Sequence, residues 1–361
     1  MKVKALKLKD FRNYSELEIG FDDQTNIIYG DNAQGKTNIL EALYISGTSR
    51  SHKGSKDREM IRFEHDEAHI STIVEKQDKE HRIDIHLKRS KPKGIAVDQI
   101  PIKKAADLFG LLNIIFFSPE DLNIIKDGPS ERRRFIDSEL CQLDRIYLHH
   151  LSEYNKVLNQ RNKLLKDIYY EPSLRDTLSV WDEKLIEYGK EVIRRRKAFL
   201  EQIAPIVADI HSQISGGKET LNIAYEPNTD DFVMADELIR ARDHDLRMAQ
   251  TSVGPHRDDI DFKIGPADVR KYGSQGQQRT AALSLKLSEI KLAEKELGEK
   301  PVLLLDDVMS ELDKDRQNYL LNSIKDTQTI ITCTGLDEFI KNRFEIDKVF
   351  RIVNGTLASE E

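Results

Sequence analysis

The sequence predicts an α/β fold: a mixed β-sheet with flanking helices, built from both ends of the chain and interrupted by a mainly α-helical lobe. Two observations predict the sheet. A strand, a glycine loop and a helix follow one another over residues 26–44, and a second apolar strand, at 302–306, ends in acidic residues. The third observation is a helical periodicity of apolar residues in the region between them. This order predicts one domain formed by the two chain ends, with the helical lobe as an insertion.

Length and composition limit the classes of function. The 361 residues suffice for two or three domains of roughly 100–200 residues each. The net charge is −7, so any nucleic-acid site must be a local basic patch. Cys141 and Cys333 cannot make a disulfide framework or a four-cysteine zinc site, which fits a reducing cytoplasm. No apolar run approaches the ~20 residues that cross a bilayer, and the start of the chain lacks a signal-peptide core. We expect a cytoplasmic protein without membrane contact.

The glycine loop predicts a phosphate-binding site. Residues 30–37 read GDNAQGKT, directly after an apolar strand and directly before a helix. Glycines in such a loop let backbone amides wrap the β- and γ-phosphates of a nucleotide, while Lys36 adds a point charge and Thr37 offers a hydroxyl to Mg²⁺. We therefore predict ATP and Mg²⁺ as cofactors. The predicted nucleotide contacts of this region are Gly30, Asn32, Gly35, Lys36, Thr37 and Asn38.

An acidic strand near the carboxyl end predicts the second half of the same site. Val302–Leu305 is a continuous apolar run, and Asp306 and Asp307 follow it directly. Asp306 is predicted to hold Mg²⁺ together with Thr37. Asp307 is predicted to orient or deprotonate the attacking water, so that Lys36, Asp306 and Asp307 are the candidate catalytic residues. A helix cap is the alternative role for each aspartate.

A polar turn before a strong helix at 279–287 predicts a second anion site. Ser274, Gly276 and Gln277 bring a hydroxyl, a bare backbone amide and a side-chain amide to a helix amino terminus. The turn is of the type that ABC ATPases place over the ATP of a partner subunit, which predicts an ATP-dependent homodimer. A simple helix cap is the alternative.

Two stretches in the middle of the chain each carry one apolar seam at near-heptad spacing. A break at Glu171-Pro172-Ser173 separates them, and the first, of about 27 residues, would span roughly 40 Å as a helix. We predict an antiparallel helical arm; two ordinary core helices are the alternative. The seam residues are Leu140, Leu143, Tyr147, Leu151, Tyr154, Leu158 and Leu165 in the first stretch and Leu185, Tyr188, Val192, Ile203, Val207, Ile210 and Ile214 in the second.

These elements predict three segments. Residues 1–125 form the amino-terminal part of the ATPase lobe, with the phosphate loop. Residues 126–240 form the inserted helical lobe, which resembles a truncated coiled-coil arm. Residues 241–361 return to the ATPase lobe with the polar turn and the acidic strand.

Four blocks, in this order along essentially the whole chain, resemble the RecF family of ABC-type DNA-repair ATPases, which is related to the heads of SMC proteins. They read FRNY at 11–14, SPED at 118–121 followed by GPSERRRFID at 128–137, GPHRDD at 254–259, and LDDVMSELD at 305–313. The resemblance implies an ABC-type P-loop ATPase head with an inserted helical lobe. It also implies Arg12, in the first block, as a nucleotide-binding residue.

The resemblance further implies a function that cannot be derived from residue spacing and composition. It implies a monomer that dimerises on ATP, each phosphate loop meeting the Ser274 region of the other subunit, and slow, DNA-stimulated hydrolysis that reopens the clamp. It implies binding to double-stranded DNA or duplex/single-strand junctions, and work with RecR and RecO to load RecA. Three departures from the wider ABC pattern favour slow turnover: no histidine occurs beyond His256, the glutamine expected after the strand at 113–117 is absent, and Asp307 stands where many ABC enzymes have glutamate.

Several basic clusters are candidates for DNA contacts. The favoured cluster contains Arg50, Lys53, Lys56 and Arg58, because serine and histidine interleaved with basic residues suit phosphate contacts. Other clusters lie at 88–93, 132–134 and 194–197, and a solvated face is the alternative for each. No aromatic residue is interleaved with a cluster, so the sequence does not indicate base stacking.

Two other classes of function compete with an ATP-gated clamp of DNA repair. One is an ABC or SMC-like ATPase that serves another DNA-processing complex, a nuclease or a transporter. Against the nuclease, no acidic cluster beyond Asp306 and Asp307 is predicted to bind metal, and the absent histidine disfavours a transport engine. The other is a scaffold that binds ATP without hydrolysing it, against which Asp307 argues.

Overall fold

The structure, a computed structural model, describes residues 1–335 and 346–360. Its strands are β1 (Lys2–Phe11), β2 (Tyr14–Gly20), β3 (Thr25–Tyr29), β4 (Glu67–Lys76), β5 (Lys79–Lys88), β6 (Gly94–Val97), β7 (Ile100–Pro101), β8 (Ile114–Phe117), β9 (Leu221–Glu226), β10 (Asp259–Ile264), β11 (Ala267–Asp268), β12 (Val302–Asp306), β13 (Thr329–Cys333), β14 (Lys348–Val353) and β15 (Thr356–Glu360).

The helices are α1 (Lys36–Thr48), α2 (Asp57–Met60), α3 (Leu122–Lys126), α4 (Pro129–Leu143), α5 (Arg145–Tyr170), α6 (Leu178–Ile214), α7 (Met234–Arg240), α8 (Arg242–Met248), α9 (Val269–Tyr272), α10 (Gln275–Leu297) and α11 (Lys314–Ser323). Short 3-10 turns lie at Ala105–Asp107, Pro119–Asp121, Pro172–Thr177, Pro255–Arg257 and Val308–Glu311. In the ranges that the structure describes, no helix is long and apolar enough to cross a membrane.

The chain forms two compact units. The first unit contains Met1–Asp121 and Glu289–Glu361, and the second contains Leu122–Ser288. The second unit thus begins near the predicted boundary at 126 but continues past the predicted boundary at 240. It does so because α6 packs against β9 and α4 against β10, which ties the strands after the helices to the same unit.

The first unit contains an antiparallel sheet of strand order β2-β1-β4-β5-β6-β7. Its residues alternate, as β4 illustrates: Ala68, Ile70, Thr72 and Val74 are buried, and the residues between them are partly or fully exposed. Such alternation is expected when one face of a sheet packs on a core and the other meets water. The polar face of this sheet therefore meets water and its apolar face packs on the core of the first unit.

The other sheet of the first unit has the order β15-β14-β3-β13-β12-β8, and all its strands except β15 pair in parallel. Every residue of Val302–Leu305 is buried, which explains the continuous apolar run. The carboxyl ends of β3, β13 and β12 lie at one edge of the sheet because these strands run in parallel. That edge receives the glycine loop after β3 and the aspartates after β12.

The second unit contains the predicted pair of long helices. The turn Pro172–Thr177 joins α5 to α6, and a connection this short makes antiparallel neighbours. Tyr147, Tyr154 and Leu165 are buried in α5, as the apolar seam predicts. The single first helix predicted over 140–165 is wrong at its start, because Asp144 ends α4 and caps α5 by accepting hydrogen bonds from the amides of residues 146 and 147.

The region after α6 is less regular than the helices before it. Strands β9, β10 and β11 form a three-stranded antiparallel sheet. The sequence did not predict α7 and α8, which have seven residues each. Helices this short complete only two turns, and an apolar periodicity needs a longer window to be recognised.

Candidate nucleotide site

Gly30 and Gly35 shape the two ends of the glycine loop. Gly30 has φ +154°, and a Cβ there would approach the carbonyl oxygen of Ile352 to 2.3 Å. Gly35 has φ +112°, and its Cβ would lie 2.6 Å from the side-chain nitrogen of Asn13. Both positions therefore require glycine, because a side chain at either one would clash with a neighbouring residue and the backbone conformation is left-handed.

Polar side chains hold the loop in place from outside. The Tyr14 hydroxyl donates to the carbonyl of Gly35 at 3.1 Å, and the Asn13 side-chain amide donates to the carbonyl of Gln34 at 2.9 Å. Burial raises the pKa of Tyr14, which keeps the hydroxyl protonated as a donor. Asn38 donates to Asn13 at 2.8 Å. The sequence analysis predicted no role for Asn13 or Tyr14, although both lie in the FRNY block.

Lys36 is the cation of the loop. It begins α1 and is only 8% exposed, and its ammonium donates to the carbonyl oxygens of Gly30 at 2.6 Å and Asp31 at 2.8 Å. A positive charge at the amino terminus of a helix opposes the helix dipole, which favours anions there. Lys36 and the dipole together therefore make this position ready for a phosphate group.

The two predicted Mg²⁺ ligands meet across a long sequence separation. Thr37 donates its hydroxyl to Asp306 Oδ1 at 2.8 Å, although the residues lie 269 positions apart. Thr332 donates to the same oxygen at 2.7 Å, because β13 lies between β3 and β12 in the sheet. The sequence analysis missed Thr332; its signal is a hydroxyl in an otherwise apolar strand end beside the acidic strand.

Asp307 lies beside this cluster in an unusual backbone conformation. Its φ is +54°, a left-handed value that is uncommon for a residue other than glycine and that recurs at active sites. Its amide donates to the carbonyl oxygen of Thr332 at 3.2 Å and to the hydroxyl of the same residue at 3.1 Å. Burial, with the nearby charge of Asp306, raises the pKa of the Asp307 carboxyl. A higher pKa makes the carboxylate a stronger base toward water.

Arg12 is anchored inside the protein. Its guanidinium makes two 2.8 Å hydrogen bonds to the buried carboxylate of Glu41 and further bonds to the Ser55 hydroxyl at 2.8 Å and the carbonyl of Glu59 at 2.9 Å. Burial acts to raise the pKa of Glu41, but hydrogen bonds from Arg12 and Ser51 outweigh it and lower that pKa. The predicted contact of Arg12 with nucleotide stays a prediction, as does that of the exposed Asn32.

The polar turn of the second unit is a fully formed helix cap, in which Ser274 is exposed and Gly276 and Gln277 are half-buried. The Gln277 amide donates to the Ser274 hydroxyl at 3.2 Å, and the Ser274 amide donates back to the Gln277 side chain at 2.8 Å. This reciprocal pair is a capping box, so the simple cap offered as the alternative is present. A cap does not exclude a contact with a partner's ATP, which stays a prediction for Ser274, Gly276 and Gln277.

The favoured basic cluster is exposed and joins a second cluster. Arg50, Lys53, Lys56 and Arg58 are exposed, and none of them has an ion-pair partner among the described residues. Lys93 donates to the carbonyl of Ser49 at 2.6 Å and to Asp57 at 2.9 Å. This contact brings the basic turn at 88–93 against the segment at 49–58, so two separate stretches of sequence form one surface.

The blocks at 128–137 and 254–259 form a buried charge network within the second unit. Arg196 of α6 donates to Asp137 and Asp258 at 2.8 Å each, to the carbonyl of Pro255 at 2.6 Å and to the Tyr147 hydroxyl at 3.0 Å. In the same network, Arg132 pairs with Asp259 at 2.5 Å. Each of the candidate DNA clusters at 132–134 and 194–197 therefore has one arginine that is buried and paired inside the protein, namely Arg132 and Arg196.

The residues present fit a magnesium–nucleotide complex. A bare glycine loop at a helix amino terminus can receive phosphates, and Lys36 supplies the cation. Thr37 and Asp306 provide the hydroxyl and carboxylate oxygens that Mg²⁺ prefers, already within hydrogen-bond distance of each other. Asp307 adds a carboxylate of raised pKa beside them.

Comparison with known proteins gives one consistent family. Residues 2–357 match the family described as RecF/RecN/SMC N terminal domain. The chain is 67% identical to the DNA replication and repair protein RecF of Agathobacter rectalis over 98% of both chains. It is 59% identical to the protein of the same name from Lachnospira eligens over 100% of both.

Solved structures agree with this result. A structure described as the recombination mediator protein RecF-ATP in the RecFOR pathway is 38% identical, with a TM-score of 0.93, over 99% of this chain and 97% of that one. An Smc head domain with an extended coiled coil from Pyrococcus furiosus is 18% identical, with a TM-score of 0.58, over 99% of this chain and 96% of that one. At that identity the second match shows the fold alone: the predicted α/β head with an inserted helical arm is confirmed.

Proposed function

This chain belongs to the RecF family, and we propose on that premise that it is an ATP-dependent DNA-binding clamp of recombinational repair. The observation that carries the proposal is the junction of Thr37 with Asp306, which closes one nucleotide site from the two ends of the chain. An ABC-type ATPase needs these two groups on one metal ion. The name and bound ATP of the structure described above support the same assignment.

The nucleotide half of the function follows from the site. The loop amides and Lys36 would bind the phosphates, and Thr37 and Asp306 would hold Mg²⁺. The ion, when bound, neutralises charge on the β- and γ-phosphates. Asp307 accepts the proton of the attacking water, and its raised pKa assists that transfer. We expect turnover well below the enzyme median of roughly 10 s⁻¹, stimulated by DNA.

Dimerisation makes DNA binding depend on ATP. The helix cap, in which Ser274 is exposed and Gly276 and Gln277 are half-buried, binds the ATP held by a second copy, so that two nucleotides join two chains. Pairing two chains doubles the basic surface that faces DNA, and avidity then raises the affinity without any new contact. Hydrolysis separates the chains and releases the DNA.

The DNA surface is the composite of the segment at 49–58 and the turn at 88–93. Arg50, Lys53, Lys56 and Arg58 are exposed and have no carboxylate partner among the described residues, so they can neutralise phosphates, which makes binding sensitive to salt. Replacing Lys53 and Lys56 together by alanine is expected to lower the slope of log affinity against log salt by about 2 for duplex DNA. An unchanged slope would assign the phosphate contacts to another cluster.

Phe63 supports a preference for junctions over plain duplex. The sequence did not indicate base stacking, yet Phe63 is 86% exposed on the turn that follows the basic segment, and Arg89 holds this turn by donating to the carbonyl of His65 at 2.9 Å. An exposed ring beside cations can stack on an unpaired base, and a duplex offers no such base within its length. Phe63→Ala is expected to weaken binding to a junction and to leave duplex binding unchanged.

The partners follow from the pathway in which the similar RecF structure is described. We propose that the clamp acts in the cytoplasm with RecO and RecR, and that it helps to load RecA at gaps. An ABC or SMC-like ATPase of another DNA-processing complex would share the nucleotide site and differ in these partners. Co-sedimentation of the ATP-bound chain with RecR on gapped DNA distinguishes the two.

The deciding experiment measures affinity for a fluorescent duplex/single-strand junction at fixed salt, with ATP and with ADP. Lys36→Ala and Ser274→Arg accompany the unchanged chain. We expect tight binding only with ATP, lost in both variants, because Lys36 holds ATP and Ser274 contacts it across the dimer. Thr177→Arg is the matched control, since it adds the same charge to an exposed turn far along the chain from Ser274.

Equal binding with ATP and ADP in all variants would overturn the clamp. The protein would then be a scaffold whose DNA binding does not depend on the bound nucleotide. Loss in Lys36→Ala alone would retain nucleotide gating and exclude the two-chain sandwich.

A further inference from the structure

We propose that the exposed face of the antiparallel sheet carries a binding site for a divalent transition metal ion, formed by Glu67, His69 and His86. This site is separate from the predicted Mg²⁺ ligands and does not depend on the proposed function. Each of the three residues offers one ligand atom, and these atoms all lie within 4.8 Å of one another.

Strand register brings the three residues together. His69 of β4 pairs directly with His86 of β5, and Glu67 lies two positions before His69 on the same face of β4. The imidazole rings of His69 and His86 stack with centroids 3.9 Å apart, and the Glu67 carboxylate lies 2.7 Å from His86 Nε2. Two neighbouring hydrogen-bonded strands thus fix the backbone positions of all three ligands before any metal binds.

The separation of the ligand atoms suits a small tetrahedral ion. With metal–nitrogen distances of about 2.0–2.1 Å, neighbouring tetrahedral ligands lie roughly 3.3 Å apart. The ligand atoms, all within 4.8 Å of one another, must come closer by side-chain rotation for the three to bind one ion. Three protein ligands leave the fourth position to water, because the site is open to solvent.

The ligand set selects the class of metal. Imidazole nitrogens suit Zn²⁺, Co²⁺, Ni²⁺ and Cu²⁺, whereas Mg²⁺ and Ca²⁺ prefer sites made of oxygen atoms. The sheet site should therefore prefer transition metal ions, whereas the oxygen ligands of the nucleotide site should prefer Mg²⁺. Glu67 supplies the negative charge, and Lys88, 3.9 Å from the other oxygen of Glu67, is the cation that an incoming ion must displace from that carboxylate.

Co²⁺ and Zn²⁺ are the probes for this site, used on the full chain without nucleotide. Calorimetric titration with Zn²⁺ is expected to give one site, and Co²⁺ is expected to give visible absorption bands of tetrahedral intensity that Zn²⁺ removes. His69→Ala and His86→Ala should each weaken Zn²⁺ binding by about tenfold or more. Zn²⁺ should also raise the thermal midpoint of the unchanged chain, since an ion that binds the folded state stabilises it.

His81→Ala is the matched control. His81 also lies on β5 and also pairs with an acidic side chain, that of Asp98 at 2.9 Å, but it is not part of the cluster. Its replacement is expected to leave Zn²⁺ affinity and the cobalt spectrum unchanged. Equal binding by the unchanged chain and the His69→Ala and His86→Ala variants would overturn the proposal, as would the absence of Zn²⁺ binding at micromolar concentrations.

Discussion

The phosphate-loop site of the first unit and the charge network of the second unit are both made of motif residues, yet they use charge in opposite ways. Lys36 donates only to two backbone carbonyls and has no carboxylate partner among the described residues. Arg196, by contrast, is bonded to two carboxylates, a carbonyl and a hydroxyl. The first arrangement leaves the positive charge of Lys36 available to a ligand. The second pairs the positive charge of Arg196 with carboxylates inside the protein.

This difference shows that a charged motif can have either a ligand-binding role or a structural role. A block of arginines and aspartates reads the same in a sequence whether it binds a ligand or holds helices together. A buried ion pair that loses one partner leaves an uncompensated charge, so such blocks are intolerant of change for structural reasons alone. Substitutions in the network should therefore change stability, and substitutions in the site should change activity.

Arg196→Met is expected to have the largest effect on stability. It leaves the buried Asp258 and the half-buried Asp137 without their cation, and the uncompensated charge of Asp258 costs about 3–5 kcal/mol of the free energy of unfolding. The single tryptophan, Trp181, lies in α6, so its fluorescence during urea unfolding reports on this unit. Arg194→Met, at the exposed neighbour, should change stability by no more than about 0.5 kcal/mol. Equal losses in the two variants would contradict the comparison.

Asp307→Asn is expected to lower the rate of ATP hydrolysis by roughly 100-fold or more, because it removes the general base. ATP affinity should stay within about twofold. Because the pKa of Asp307 is raised, the rate of the unchanged chain should fall on the acid side at a higher pH than an ordinary aspartate would give. Phosphate release across pH measures both; an unchanged rate in Asp307→Asn would assign the base elsewhere.

Lys36→Ala is expected to weaken ATP binding by roughly 10–100-fold, the value of a hydrogen bond to a charged group of about 1.5–3 kcal/mol. Unlike Arg196→Met, it should change the free energy of unfolding by less than about 1 kcal/mol. Titration with a fluorescent ATP analogue and chemical unfolding followed by circular dichroism test the two statements. A large loss of stability would show that Lys36 belongs with the structural charges.

Acid should weaken the second unit through His256. This histidine accepts a hydrogen bond from Tyr154 at 2.7 Å, and burial lowers its pKa to about 4. The unfolded chain, with a histidine pKa of about 6.5, binds the proton more readily, so stability falls as pH drops from 6.5 toward 4. The loss reaches about 2 kcal/mol at pH 5.

The measurement compares the pH dependence of urea unfolding, followed by Trp181 fluorescence, in the unchanged chain and in His256→Gln. The variant keeps a polar side chain that cannot take up the proton, so its curve should be flatter between pH 7 and pH 5. Parallel curves would mean that His256 is not the group responsible.

Local pattern predicted the parts of the fold whose cause is local. The strand, glycine loop and helix at 26–44 and the apolar strand before Asp306 were predicted correctly, because backbone sterics and burial act within a few residues. The break at Asp144 and the short helices α7 and α8 were not, since capping and tertiary packing decided them. The same limit explains the cluster at 132–134, whose first arginine is drawn inside by Asp259.

The sequence alone determined that a phosphate loop, an acidic strand and two long seamed helices exist, because glycine conformations, apolar runs and heptad spacing are properties of short segments. Tertiary structure decided which of the charged residues form a site. Parallel pairing of β3, β13 and β12 brought Thr37, Thr332 and Asp306 to one sheet edge, and helix packing buried Arg196 among carboxylates. A side chain's charge is written in the sequence, but its partners are set by contacts between residues far apart along the chain, and those partners decide whether the charge binds a ligand or holds the fold.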